Sequence, residues 1–175
     1  MFRALSRMHR YHTSIYLRDT KGLAHITVTG AKNNNNKQFD IWHHTVAPGA
    51  GTPIHTHPGQ EEFILVLAGT ATFYLQDTDG SLVTHTGGPN TTITILPDVR
   101  HQIVNLGTEA FSTLAVLGDP PARITVFPSW DAEGGEGTAM NPLWDRECPD
   151  SEAVGIMDLV NEGGNGDRKK ATAEL

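Results

Sequence analysis

The sequence predicts an all-β fold, a jelly-roll or barrel. Three observations carry this: short segments of strand composition recur along the chain, turn residues separate them, and no long helical period appears. The 175 residues include 18 glycines and 10 prolines, as many turns require. Hydrophobic residues make up 38% and charged residues 19%, which places the chain among compact folds of one domain's size rather than disordered ones.

The strands follow in order. Residues 24–29 read Ala-His-Ile-Thr-Val-Thr and stop at Gly30. Residues 32–37 hold four consecutive asparagines and read as a polar loop or hairpin tip. Residues 38–46 form the next strand, halted by Ala47-Pro48-Gly49. Residues 62–68 are a near-continuous apolar run, which predicts burial of both faces. Residues 70–76 follow a tight turn at Gly69, and Asp79-Gly80 marks a hairpin tip. Residues 91–95, 102–105, 111–117 and 124–127 supply further strands. Beyond Phe127, residues 131–137 read as a flexible acidic glycine loop, residues 141–150 as a short irregular or helical piece with Trp144, and residues 151–160 as a short helix capped by Ser151. The domain reading is a basic arm over 1–20, one barrel domain over 21–148, and a polar tail over 149–175.

Charge and length exclude several functions. The formal net charge is -7 and no basic stripe appears in the folded region, so neither nucleic acid nor an anionic membrane is an expected partner. No run approaches the roughly 20 apolar residues of a membrane-spanning helix. Cys148 is the single cysteine, which rules out an intrachain disulfide. Arg3, Arg7, Arg10 and Arg18 precede the first acid at Asp19, and no apolar core is present, so this arm reads as solvated chain rather than a secretory signal.

The chemistry lies between Gly49 and Gly69. His55 and His57 are two apart, so on a strand both project to one face, about 6–7 Å apart. Pro58-Gly59-Gln60 turns the chain, and Glu62 then enters from the next strand. There Glu62, Ile64 and Val66 share a face that should line a pocket. Phe63, Leu65 and Leu67 share the face expected to pack on the sheet behind, and Glu61 points away from Glu62. His101 opens a later strand, four residues before Asn105, and completes the set. Three imidazoles and one carboxylate suit a divalent metal: Zn, Fe(II), Mn(II), Ni(II) or Cu(II). His9, His12, His25, His43, His44 and His85 lack such a setting and read as surface or satisfied core groups. The apolar faces at Phe63/Leu65/Leu67 and residues 111–117 exceed what one barrel can cover, which predicts a homodimer.

Gly49, His55, His57, Glu62 and Gly69 resemble the first motif of the cupin superfamily, and Pro97 to Asn105 the second. The second departs from its pattern, with Val99 where a glycine is usual. The resemblance implies a cupin jelly-roll β-barrel of two packed antiparallel sheets, with a short C-terminal helix or irregular segment.

Residues 22–30 (Gly-Leu-Ala-His-Ile-Thr-Val-Thr-Gly), 52–57 (Thr-Pro-Ile-His-Thr-His), 90–93 (Asn-Thr-Thr-Ile), 120–130 and 144–148 (Trp-Asp-Arg-Glu-Cys) further resemble the family of plant auxin-binding protein 1. The similarity is collinear over about residues 23–148. It implies a zinc ion held by His55, His57, Glu62 and His101, whose open position takes the carboxylate of indole-3-acetic acid. It also implies ring contacts from Trp144 and pocket positions at Leu23, Val46, Thr52, Pro53, Ile64 and His44. Ile64 stands where the family has an aromatic, His44 where it has a glutamine, and Pro142 where it has a phenylalanine. The partner of Cys148 in the family's disulfide is missing, and the chain ends Thr-Ala-Glu-Leu rather than in an intact retrieval signal. The family location is the endoplasmic reticulum lumen or the exterior, where the Asn90-Thr-Thr92 sequon would have meaning.

The expected role is therefore metal-dependent binding of auxin or a similar small aromatic carboxylate, as a receptor, with no catalytic residue. The alternatives are a metal-dependent cupin oxygenase, decarboxylase or isomerase, with His44 as its general acid or base, and a structural barrel stabilised by its metal.

Overall fold

Alternating burial along each strand decides how the chain assembles. The computed structural model describes residues 15–17, 22–31 and 35–140. Trp144, Cys148 and the helix expected over 151–160 lie outside them. The strands are β1 (Ile15–Leu17), β2 (Leu23–Thr29), β3 (Phe39–Val46), β4 (Ile54–Thr56), β5 (Glu62–Ala68) and β6 (Ala71–Gln76). They continue with β7 (Leu82–Gly87), β8 (Thr92–Ile95), β9 (His101–Val104), β10 (Phe111–Gly118), β11 (Thr125–Phe127) and β12 (Thr138–Ala139). One six-stranded sheet runs β1-β2-β3-β10-β5-β8 and the other β12-β11-β4-β9-β6-β7, all antiparallel. This is the expected pair of sheets.

The core lies between the sheets because each central strand turns one face inward. On β10, Phe111, Thr113, Ala115 and Leu117 are buried while the intervening residues are half-exposed. On β3, Asp40, Trp42, His44 and Val46 point in. Opposite them Phe73 and Ile103 fill the second sheet. Asp40 is a buried clamp, accepting N–H from Ala31 and from Ala122, each at 2.8 Å.

Three expectations need correction. Only one face of β5 is buried: Glu62, Ile64 and Val66 are enclosed, but Phe63 and Leu67 are 40% and 43% exposed and Leu65 is half-buried. An antiparallel outer sheet can leave one face to solvent, and no described residue covers this one. Strands β1 and β12 were not expected, whereas β7 is the return strand of the hairpin expected at Asp79-Gly80, its bounds hidden in the sequence because its mostly exposed residues lack inward alternation. Residues 131–137 are anchored rather than a loose loop. Arg100 donates to the carbonyls of Trp130 (2.7 Å) and Ala132 (3.0 Å), Ala132 is buried, and Gly134–Glu136 make one 3-10 turn. His25 and His44, read from the sequence as surface or satisfied core groups, take the second course: they are buried on adjacent strands and hydrogen-bond to each other at 2.8 Å.

Candidate metal centre

The second sheet brings two of the site histidines together by register. β4 pairs with β9 so that His55 lies directly opposite His101, with ring centroids 4.1 Å apart. His57 follows the end of β4, its ring 5.0 Å from His55 and 5.4 Å from His101. Glu62 opens β5 in the facing sheet, and its Oε2 lies 3.1 Å from His101 Nε2 and 3.5 Å from His57 Nε2. One donor atom from each of the four residues falls within 4.8 Å of the others, and all four side chains are buried. Glu61 is exposed, as the strand alternation requires.

Backbone carbonyls fix which nitrogen faces the centre. His55 Nδ1 donates to Pro53 (2.8 Å), His57 Nδ1 to Arg123 (2.8 Å) and His101 Nδ1 to Val99 (2.9 Å). A carbonyl only accepts, so each Nδ1 carries a hydrogen, and each Nε2 presents a lone pair to the centre whenever its ring is neutral. The centre is then three lone pairs and a carboxylate. His57 Nε2, His101 Nε2 and Glu62 Oε2 are buried without a hydrogen-bond partner. Acceptors facing only acceptors repel; one divalent cation satisfies them together, so the residues fit a metal.

Electrostatics agree. Burial pushes the His55 imidazole well below its ordinary value, and His101 and His57 add to the effect. Burial alone would raise the Glu62 carboxyl, but His57 and His101, when protonated in the metal-free protein, hold it well below the usual range, and a cation would take the place of those protons.

Residues that sequence reasoning passed over hold the ligands in place. Buried Gln60 donates through Nε2 to the carbonyls of Gly118 (2.9 Å) and Asp119 (2.7 Å), and its Oε1 accepts the Arg123 N–H at 2.6 Å. It thereby fixes the segment whose Arg123 carbonyl orients His57. Asp98 takes a positive φ of 64° and accepts the Gly59 N–H at 3.1 Å, tying together the turns before Glu62 and before His101. The left-handed position of that second turn is Asp98, not residue 99, so Val99 is accommodated without glycine.

The expected pocket positions fall into two groups. Val46 and Ile64 are fully buried between the sheets, and Leu23 pairs across from Val46. Thr52 and Pro53 serve as scaffold: the Thr52 hydroxyl accepts from Ile103 N–H at 3.0 Å, and the Pro53 carbonyl takes His55. His44 lies on the inward face of β3, with Trp42 between it and His57; the Trp42 ring is 6.1 Å from one and 6.0 Å from the other.

His44 also gives a pH prediction for the metal-free protein. Burial lowers His44 from 6.5 to about 4, an effect that Glu62 partly opposes. Burial and His44 hold His25 well below its ordinary value. Below pH 6.5 the unfolded chain therefore takes up protons that the folded chain refuses, and stability falls as pH drops toward 4. His44 alone contributes a loss of about 3 kcal/mol across that window. Denaturant melts of chelator-treated protein at a series of pH values check this, and a flat profile contradicts it.

Known proteins resemble this chain in sequence and in fold. Residues 4–154 match the family described as auxin binding protein. Auxin-binding protein 1 of Arabidopsis thaliana is 36% identical over 135 residues, covering 73% of this chain and 66% of that protein. Auxin-binding protein 4 of Zea mays is 33% identical over 157 residues, covering 85% and 72%. The matched stretch thus spans about two thirds of the first relative's length. Among solved structures, oxalate decarboxylase from Bacillus subtilis at pH 4.6 aligns with a TM-score of 0.57 at 21% identity, covering 62% of this chain and 28% of that one. Peruvianin-I, a cysteine peptidase from Thevetia peruviana latex, aligns at 0.58 and 21% identity, covering 65% and 71%. These structural likenesses establish a cupin fold.

Proposed function

This chain belongs to the auxin-binding protein family, and from that premise we propose that it binds a small aromatic carboxylate, indole-3-acetic acid or a close analogue, through a zinc ion. The observation that carries the proposal is the acceptor-only cluster of His55, His57, Glu62 and His101. These four residues would hold the ion, and the ion supplies a positive centre for a carboxylate oxygen. The protein's own part is to keep three Nε2 lone pairs aimed inward through the carbonyls of Pro53, Val99 and Arg123. The aromatic ring would pack toward the buried Ile64 on the inward face of β5, and the family resemblance assigns a ring contact to Trp144, which lies outside the described residues. The inward face of β5 carries Glu62, Ile64 and Val66 and offers no second acid. That arrangement favours holding a ligand, as a receptor does, over turning one over.

Calorimetry on zinc-loaded protein tests this. Indole-3-acetic acid binds, and 3-methylindole, which lacks the carboxylate, binds at least about tenfold to a hundredfold more weakly. Chelation of the metal abolishes the difference. Equal binding of the two compounds contradicts the reading, as does a purified protein that carries iron and consumes oxygen.

A further inference from the structure

We propose that His44 and Thr113 form a second polar subsite that reads a hydroxyl or N–H group on the ring of the bound carboxylate; this rests on the ligand reading above. β3 and β10 pair with His44 directly opposite Thr113, so the two side chains leave the sheet together on its inward face. His44 is 6% exposed and Thr113 fully enclosed. His44 Nδ1 and Thr113 Oγ1 are both buried with no hydrogen-bond partner among the described residues. Two such groups side by side in an interior are costly unless something between the sheets bonds to them.

The register gives the shape of what would fit. Glu62 pairs with Leu117 at the metal end, Ile64 with Ala115 and Trp42 in the next inward row, and Val66 with Thr113 and His44 in the row beyond. Acid-binding end, apolar middle and hydrogen-bonding far end therefore follow in order along the first sheet. The matching ligand has a carboxylate, a flat apolar body and a polar group on the far side of the ring. His44 Nε2 is engaged by His25 Nδ1 at 2.8 Å, which holds the ring in place. If His44 donates in that bond its Nδ1 accepts, and if it accepts its Nδ1 donates. The Thr113 hydroxyl does either, so a ligand hydroxyl can bond both groups in either tautomer, whereas a ring N–H bonds His44 Nδ1 only in the first.

Two matched pairs of acids on zinc-loaded protein provide the test: 4-hydroxyphenylacetate against phenylacetate, and indole-3-acetate against naphthalene-1-acetate. The polar member of at least one pair binds about tenfold more tightly, and Thr113→Val, which keeps the shape but removes the hydroxyl, reduces that preference toward parity. Thermal melts establish that the variant is folded; should it not be, the wild-type ratios alone decide. Parity in both pairs overturns the subsite and leaves the carboxylate reading standing. A preference that survives in folded Thr113→Val also overturns it. Binding of none of the four acids overturns both readings.

Discussion

Glu62→Gln leaves the fold standing and removes the metal. Glutamine keeps the length and shape of the side chain but discards the one anionic ligand of the set. Its amide also turns an acceptor into a donor. Oε2 lies 3.1 Å from His101 Nε2 and 3.5 Å from His57 Nε2, so an NH2 group there would bond lone pairs that the carboxylate only confronts. Because His57 and His101 hold the Glu62 carboxyl well below its usual range, the metal-free variant should still fold but be less stable than wild type at neutral pH. Loss of an outer-shell partner costs about 10–100-fold in metal affinity, and loss of a charged direct ligand should exceed that. Thermal melts with and without added zinc read both effects at once. Wild type gains stability with zinc through linkage, and the variant does not. An equal zinc-induced shift in the two proteins would contradict this.

Gly69→Ala should cost about 2–5 kcal/mol of stability, combining left-handed strain of about 1–2 kcal/mol with overpacking of about 1–3. Gly69 has a φ of 71° in the turn between β5 and β6. An added Cβ would stand 2.6 Å from the Ala110 carbonyl oxygen and 2.7 Å from Phe111 Cα. Those are backbone atoms at the start of β10, beside a fully buried phenylalanine, and they have no room to retreat. Gly80 supplies the comparison. Its φ is 85°, but nothing lies within 4 Å of its added Cβ, so Gly80→Ala should show the strain alone. Urea unfolding of both variants checks the difference; equal losses would mean that the close approach to β10 is not a constraint.

The candidate metal ligands were legible in the sequence because strand periodicity is simple. The two-residue spacing of His55 and His57 and the alternation of Glu61 and Glu62 already decide which side chains turn inward. What orients the histidines was harder to read. Pro53 and Val99 each lie two residues before the histidine they hold, but the Arg123 carbonyl reaches His57 across 66 positions, through a segment fixed by Gln60. Only the register of β2, β3 and β10 reveals that His25, His44 and Thr113 meet on one inward face. The apolar run over 62–68 misled for a different reason. Continuous hydrophobicity resembles a strand buried on both sides, yet β5 leaves Phe63 and Leu67 outward. Asp98 shows the converse, since a missing motif glycine matters only if its position needs a left-handed backbone.

The four buried acceptors His55, His57, Glu62 and His101 should together hold one cation. Equilibrium dialysis of metal-free protein against zinc at pH 7.5, followed by elemental analysis, tests it most directly. One zinc ion per chain is expected, with none retained by Glu62→Gln. Zinc absent from the wild type, or held equally by the variant, would contradict it.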